Sequence, residues 1–142
     1  GLWRPALTGG NWQNLKTSSR SWSDQGLRYY RGLAWYRQAV DVPAAFAGQR
    51  LFLWCGGVDE AAKVWLNGQA LGISHGAAMY PFELDATAAV QAGTNLIVVC
   101  VNNTVVNELG TGGILAPVFL YAPAGGQEAK LENVRELKPT FP

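Results

Sequence analysis

The chain contains one histidine, one methionine and two cysteines. A single imidazole cannot build a His-rich metal centre, and two thiols are too few for a disulfide scaffold or a Cys-based zinc site. Charged residues make up only 15% of the sequence and nearly cancel, leaving a formal net charge of +1. No block of lysine or arginine breaks that balance, so the electrostatic footprint of a nucleic-acid binder is missing. There is no apolar run of about 18 residues, which excludes a helical membrane span. No methionine opens the chain and no secretory signal precedes Gly1, so it reads as an excised module or a mature fragment.

What is present is turn-rich and aromatic. The 142 residues are the size of one domain with a substantial core, and 49% of them are apolar, with 17 Gly, 7 Pro and 6 Trp. We expect a single β-sandwich module over 1–142, with an irregular N-terminal arm at 1–28 and a C-terminal strand and linker at 122–142. Leu51–Gly72 anchors the strand reading. Leu51, Leu53 and Cys55 alternate with Phe52, Trp54 and Gly56, the period of two of a strand with distinct faces. Ala62, Val64 and Leu66 alternate with Lys63 and Trp65, and Asn67-Gly68 follows. That dipeptide between alternating apolar runs is a strong hairpin signal, because a type I′ turn needs positive φ at both central residues. The large outward set Phe52, Trp54 and Trp65 predicts a sheet covered, or used, on both sides.

Further strands are expected over Leu33–Val42, ended by Pro43, and over Pro81–Leu84, Asn95–Val101 and Ile114–Tyr121. Asn95–Val101 is β-branched and central. Pro117 marks the last of these as an edge or a bulge. Asp85–Ala92 reads as a brief helical turn closed by Gly93. In the arm, NWQNLKT is a possible short strand and SSRSWSDQG a loop. A final strand-like piece is expected around Ala129–Leu137. Trp3, Trp12 and Trp22 anchor the arm on the sandwich, or Trp22 offers a stacking platform. Trp35 and Tyr36 read as packing residues, and Arg37 as the partner of a carboxylate, Asp41 or Asp59. Cys55 shares the face of Leu51 and Leu53, whereas Cys100 lies opposite Ile97, Val99 and Val101. A disulfide needs Cβ atoms within about 4.5 Å, so two free thiols are expected. Seven to nine short strands at close spacing mean an all-β, two-sheet antiparallel sandwich.

Following the strands back and forth brings four connections to one pole. Tyr29, Tyr30 and Arg31 precede the first strand there, and Asp59-Glu60 follows the second. His75, Met79 and Tyr80 lie in the next connection. The long segment from Asn102 to Gly113 adds Asn103, Asn107 and Glu108. The other pole carries mostly Pro, Ala, Gly and Asn. Binding residues concentrate on loops held by a rigid sandwich, which makes the first pole the candidate site.

Five ordered stretches resemble a known family: YRGLAWYRQAVDVP, GGVDEAAKVWLNGQALG, HGAAMYPFELDAT, AGTNLIVVCVNN and GGILAPVFL. Together, over roughly Tyr30 to Tyr121, they are similar to the N-terminal sugar-binding-type jelly-roll domain of glycoside hydrolase family 2, the β-galactosidase and β-glucuronidase group. The resemblance implies a galactose-binding-domain-like jelly roll in a larger carbohydrate-active enzyme, secreted or periplasmic. The family's catalytic carboxylates sit on a separate barrel that this chain does not include.

The residues agree that catalysis lies elsewhere. Glycoside hydrolysis needs two carboxyl groups about 5–9.5 Å apart across a bond, and Asp59 and Glu60 are neighbours in a turn pointing different ways. His75 beside Ser74 forms no nucleophile elbow. No cofactor is expected. A structural calcium is conceivable in such a sandwich, but no Asp-x-Asp cluster supports it. Asn102-Asn103-Thr104 formally makes an N-glycosylation sequon. Sugar recognition needs aromatic rings for the pyranose C–H face and planar polar groups for its hydroxyls. Tyr29, Tyr30 and Tyr80 supply the first. Arg31, Asp59, Glu60, His75, Asn103 and Glu108 supply the second, unless the tyrosines simply plug the sandwich end. The leading expectation is therefore a non-catalytic carbohydrate-binding module whose partners are an oligo- or polysaccharide and the parent's catalytic domain, with neither nucleic acid nor membrane. The alternative is a structural accessory domain packed on a hydrolase or esterase through Phe52, Trp54, Trp65 and the arm tryptophans.

Overall fold

A computed structural model describes residues 12–74, 79–104 and 111–124. Among these residues seven strands form two antiparallel sheets: β1 (Gly32–Val42), β2 (Phe52–Cys55), β3 (Ala61–Leu66), β4 (Gln69–Ser74), β5 (Phe82–Asp85), β6 (Gly93–Asn103) and β7 (Val118–Tyr121). The four-stranded sheet has the order β1-β6-β3-β4 and the three-stranded sheet β5-β2-β7. Between them lies one core, in which Leu53, Cys55, Val64, Leu66, Ile97, Val99 and Val101 are all buried.

Alternation sets the faces as expected. Along β6 the inward side chains are Asn95, Ile97, Val99, Val101 and Asn103, all buried, while Cys100 lies on the other face at intermediate exposure. Cys55 points inward, and both thiols are free. Burial raises the Cys55 thiol from its ordinary 9.0 to about 11. β3 and β4 form the hairpin, with Asn67 at φ 50° and Gly68 at φ 84°, the left-handed pair of the type I′ turn. Asp85–Ala92 contains a single turn in which Val90 N donates to Ala86 O at 3.0 Å. β7 is an edge strand, in keeping with Pro117.

Four expectations are corrected. Phe52, Trp54 and Trp65 do not share a face: the first two belong to the three-stranded sheet and Trp65 to the four-stranded one. The chain crosses between sheets at residues 56–60, which alternation within each run cannot register. NWQNLKT carries no strand over its described residues 12–17. Instead Gln25 staples that stretch, its Nε2 donating to Lys16 O at 2.9 Å while Lys16 N donates to its Oε1 at 2.6 Å. Trp22 is no exposed platform; it is 0% exposed and anchors the arm in the core. Arg37 pairs with neither proposed carboxylate. Its guanidinium lies 4.1 Å from the Trp12 ring centroid, while Asp41 accepts from Thr94 Oγ1 at 2.7 Å and Asp59 from Thr111 Oγ1. The piece expected around Ala129–Leu137 lies outside the described residues.

Candidate functional site

Register confirms which ends coincide. Gly32 pairs with Asn103, Ala61 with Asn102, and Ala62 with both Val101 and Ser74. The start of β1, the end of β6, the start of β3 and the end of β4 therefore meet at one pole. Three further segments are tied there. Met79 N donates to Val58 O at 2.7 Å, Asp59 N to Gly113 O at 2.9 Å, and Trp22 N to Gly112 O at 2.9 Å.

Gly112 and Gly113 are the hub of this pole. A Cβ on Gly112 would lie 2.6 Å from Trp22 Cε3, and one on Gly113 2.5 Å from Trp22 Nε1 and 2.7 Å from the Tyr36 hydroxyl. Both residues have positive φ, +111° and +94°. Only glycine lets this backbone lie on the indole. The Trp22 indole Nε1–H donates to the Tyr36 hydroxyl, and burial raises the Tyr36 pKa. Tyr30 meets the same indole edge-on, with ring centroids 5.4 Å apart.

The anticipated site residues divide into three groups. Tyr29, Tyr80 and Arg31 are exposed. Tyr29 is 81% exposed and held at φ 63°; Tyr80 is 52% exposed beside Met79 at 52%. A second group serves the fold. Asp59 is buried, accepting from Thr111 Oγ1. Tyr30, itself 43% exposed, donates its hydroxyl to Leu33 O at 2.9 Å. Glu60 is half-buried at φ 66°. The third is Asn103, 0% exposed, whose Oδ1 and Nδ2 both have no hydrogen-bond partner among the described residues; Ser74 Oγ, at the same pole, is in the same condition. His75, Asn107 and Glu108 lie outside the described residues. No cluster of three or more metal-ligating side chains occurs among the described residues, and no helix of theirs is long and apolar enough to cross a membrane.

Asn103 stands out against Asn95, eight residues earlier on the same face of β6. Asn95 is also 0% exposed, yet all its capacity is used. Its Nδ2 donates to Gln91 O at 2.7 Å and Gly93 O at 2.8 Å, and its Oδ1 accepts from Gln91 N and Asn67 Nδ2, each at 2.8 Å. Asn95 is a structural carboxamide of the usual kind. Asn103, equally buried, makes no such bond among the described residues. Sequence reasoning singled out Asn103 but missed Ser74, Thr111 and the glycine pair. The GGI motif was the available signal for the last.

Residues 16–110 match the family described as glycosyl hydrolases family 2, sugar binding domain. The chain belongs to that family. It is 40% identical over 81 residues to a β-glucuronidase of Paenibacillus borealis, covering 56% of this chain and 13% of that protein. It is 32% identical over 94 residues to a β-galactosidase of Thermoanaerobacter pseudethanolicus, covering 65% of this chain and 12% of that one. Among solved structures, a β-glucuronidase from an uncultured Clostridium superposes with a TM-score of 0.62 at 30% identity, over 70% of this chain and 20% of that one. The chain thus spans a small fraction of the length of the relatives it matches.

Proposed function

We propose that this domain is a non-catalytic carbohydrate-binding module of a larger family 2 glycoside hydrolase, taking a glycan at the pole where Tyr80, Tyr29 and Asn103 lie. The observation that carries the reading is the contrast between Asn95 and Asn103. A buried carboxamide without partners costs about 1–3 kcal/mol per unsatisfied group, and it persists where something other than folding retains it. A sugar hydroxyl, both donor and acceptor, is the complement of a carboxamide, and the exposed Tyr80 ring offers the apolar surface a pyranose face needs. Affinity should be weak, about −4 to −6 kcal/mol. A parent acting on a polymeric glycan would meet its substrate outside the cytoplasm, in a secreted or periplasmic setting.

A second reading, a structural accessory domain packed against the catalytic domain, draws on the closure of the same pole. Trp22, Tyr30 and Asp59 are engaged in internal contacts. Titrating the chain with a panel of oligosaccharides, followed by amide shifts, separates the two. The binding module predicts saturable shifts around Tyr80 and Asn103 that Tyr80→Ala removes without unfolding the domain. Absence of any shift across the panel would leave the structural role standing instead.

A further inference from the structure

The outward face of the three-stranded sheet is organised in two rows. Across the strands, Glu83 pairs with Trp54 and Trp54 with Phe119; Asp85 pairs with Phe52 and Phe52 with Tyr121. Each row reads carboxylate, ring, ring. The rings are in contact throughout. Trp54 stacks on Phe119 at 4.8 Å between centroids, Phe52 meets Tyr121 at 5.9 Å, and Phe119 meets Tyr121 edge-on at 6.2 Å. The Tyr121 hydroxyl donates to the Glu83 carboxylate. Arg50 lies 5.0 Å over Phe52 and 3.4 Å from an Asp85 oxygen. Phe119 is 46% exposed, and the Arg50 and Asp85 side chains are 53% and 52% exposed.

Leu53 and Cys55 serve the core from the other side of β2. Four contiguous rings on one sheet face, with Phe52 buried at 9% exposure, Trp54 and Tyr121 half-buried and Phe119 open, are unusual where only solvent is met. A dry protein interface fits poorly, because it would strip water from Glu83, Asp85 and Arg50, and the cores of such interfaces are depleted in charge. A ligand with one apolar face and a rim of hydroxyls fits both components: rings take the C–H face and carboxylates accept from hydroxyls. Two carboxylates against one guanidinium make the rim net acidic, which disfavours an anionic chain.

We propose that this face is a second carbohydrate-binding surface, separate from the loop pole, which takes a neutral pyranose chain laid over Trp54, Phe119 and Tyr121 with Glu83 and Asp85 on its hydroxyls. It shares with the proposed function only the assumption of a sugar ligand and does not depend on Asn103 or Tyr80.

The test uses affinity electrophoresis and amide shifts of the full chain with three neutral polymers, a mixed-linkage β-glucan, a xylan and a galactan, and with polygalacturonate as the anionic polymer. Retardation by at least one neutral polymer and not by polygalacturonate is expected, with a set of shifts on β2, β5 and β7 separate from any at the loop pole. Phe119→Ala should weaken it about tenfold, the equivalent of about 1.4 kcal/mol, and Phe119→Leu should weaken it as well, because the ring and not the bulk is required. Phe119→Leu keeps the test valid should the alanine variant not fold. Asn103→Leu should leave the shifts on β2, β5 and β7 unchanged, so loss of pole binding and loss of sheet-face binding are told apart. The proposal is overturned by retention of binding in both Phe119 variants, by preference for polygalacturonate, or by no retardation with any neutral polymer. Concentration-dependent self-association abolished by Phe119→Ala, without glycan binding, would overturn it in favour of a protein-docking face.

Discussion

Two asparagines on one face of β6 show how differently the same residue can be used. Asn95→Leu removes four hydrogen bonds and orphans the Gln91 N–H among others. It should destabilise the domain by about 3 kcal/mol or more. Asn103→Leu removes a carboxamide with no partners and should leave stability unchanged or raise it by about 1 kcal/mol. Urea denaturation of the two variants side by side checks both signs; a large loss in the second would mean that Asn103 has a structural role. Cys55 supplies a pH-dependent counterpart. Its folded pKa, raised by burial to about 11 from 9.0, exceeds that of the unfolded chain, so protonation favours the native state. That contribution is complete below pH 9 and is lost as pH rises toward 11. Cys55→Ala should flatten this part of the stability profile, as read by denaturation midpoints between pH 8 and 11. Most of this scale was illegible in sequence. Both asparagines sit at strand ends, and which one finds partners depends on Gln91 and Gly93 just before Asn95 and on Asn67, which the fold brings across from the hairpin.

At the scale of the element, the hairpin and the glycine hub obey local rules to different degrees. Asn67-Gly68 announces its turn in two letters, because few other residues tolerate positive φ in succession. The turn also does more than reverse the chain. Asn67 Nδ2 donates to Ala89 O at 2.9 Å and its Oδ1 accepts from Leu96 N at 2.9 Å, locking the tip to the start of β6. Asn67→Gly keeps the backbone conformation but removes those bonds, and should cost about 1–2 kcal/mol; thermal denaturation against wild type measures it. Gly113→Ala combines a strained φ with a Cβ driven into Trp22 and Tyr36, and should cost about 2 kcal/mol or more. Circular dichroism melting would show it, and a wild-type melting temperature would contradict the hub described above. The strand positions were readable from alternation. The need for glycine at 112 and 113 was not, since the indole it accommodates lies ninety residues away in sequence.

For the molecule as a whole, the described part of the arm, residues 12–28, is part of the domain rather than a tether. Trp22 is fully buried, hydrogen-bonded at its indole and backbone to Tyr36 and Gly112, so it joins residues 19–30 to the pole built by β1, β3, β4 and β6. Trp22→Ala should destabilise the domain by about 3–5 kcal/mol. Hydrogen exchange should accelerate first at Asp59 N and Leu115 N, which bond across the same pole; uniform acceleration throughout both sheets would show that the arm is no separate keystone.

The sequence by itself determined the fold class, the strand positions, the hairpin turn and the pole at which the polar connections gather. Those follow from periods of two and from turn residues with special φ, both local properties of the chain. Tertiary structure decided which connected residues are free to meet a ligand and which hold the sandwich shut. It turned Trp22 inward, assigned Asp59 to Thr111, left Asn103 without partners and separated Phe52 and Trp54 from Trp65. Each outcome depends on contacts between segments distant in sequence, and alternation along one strand carries no information about what stands across the core or over the outer face.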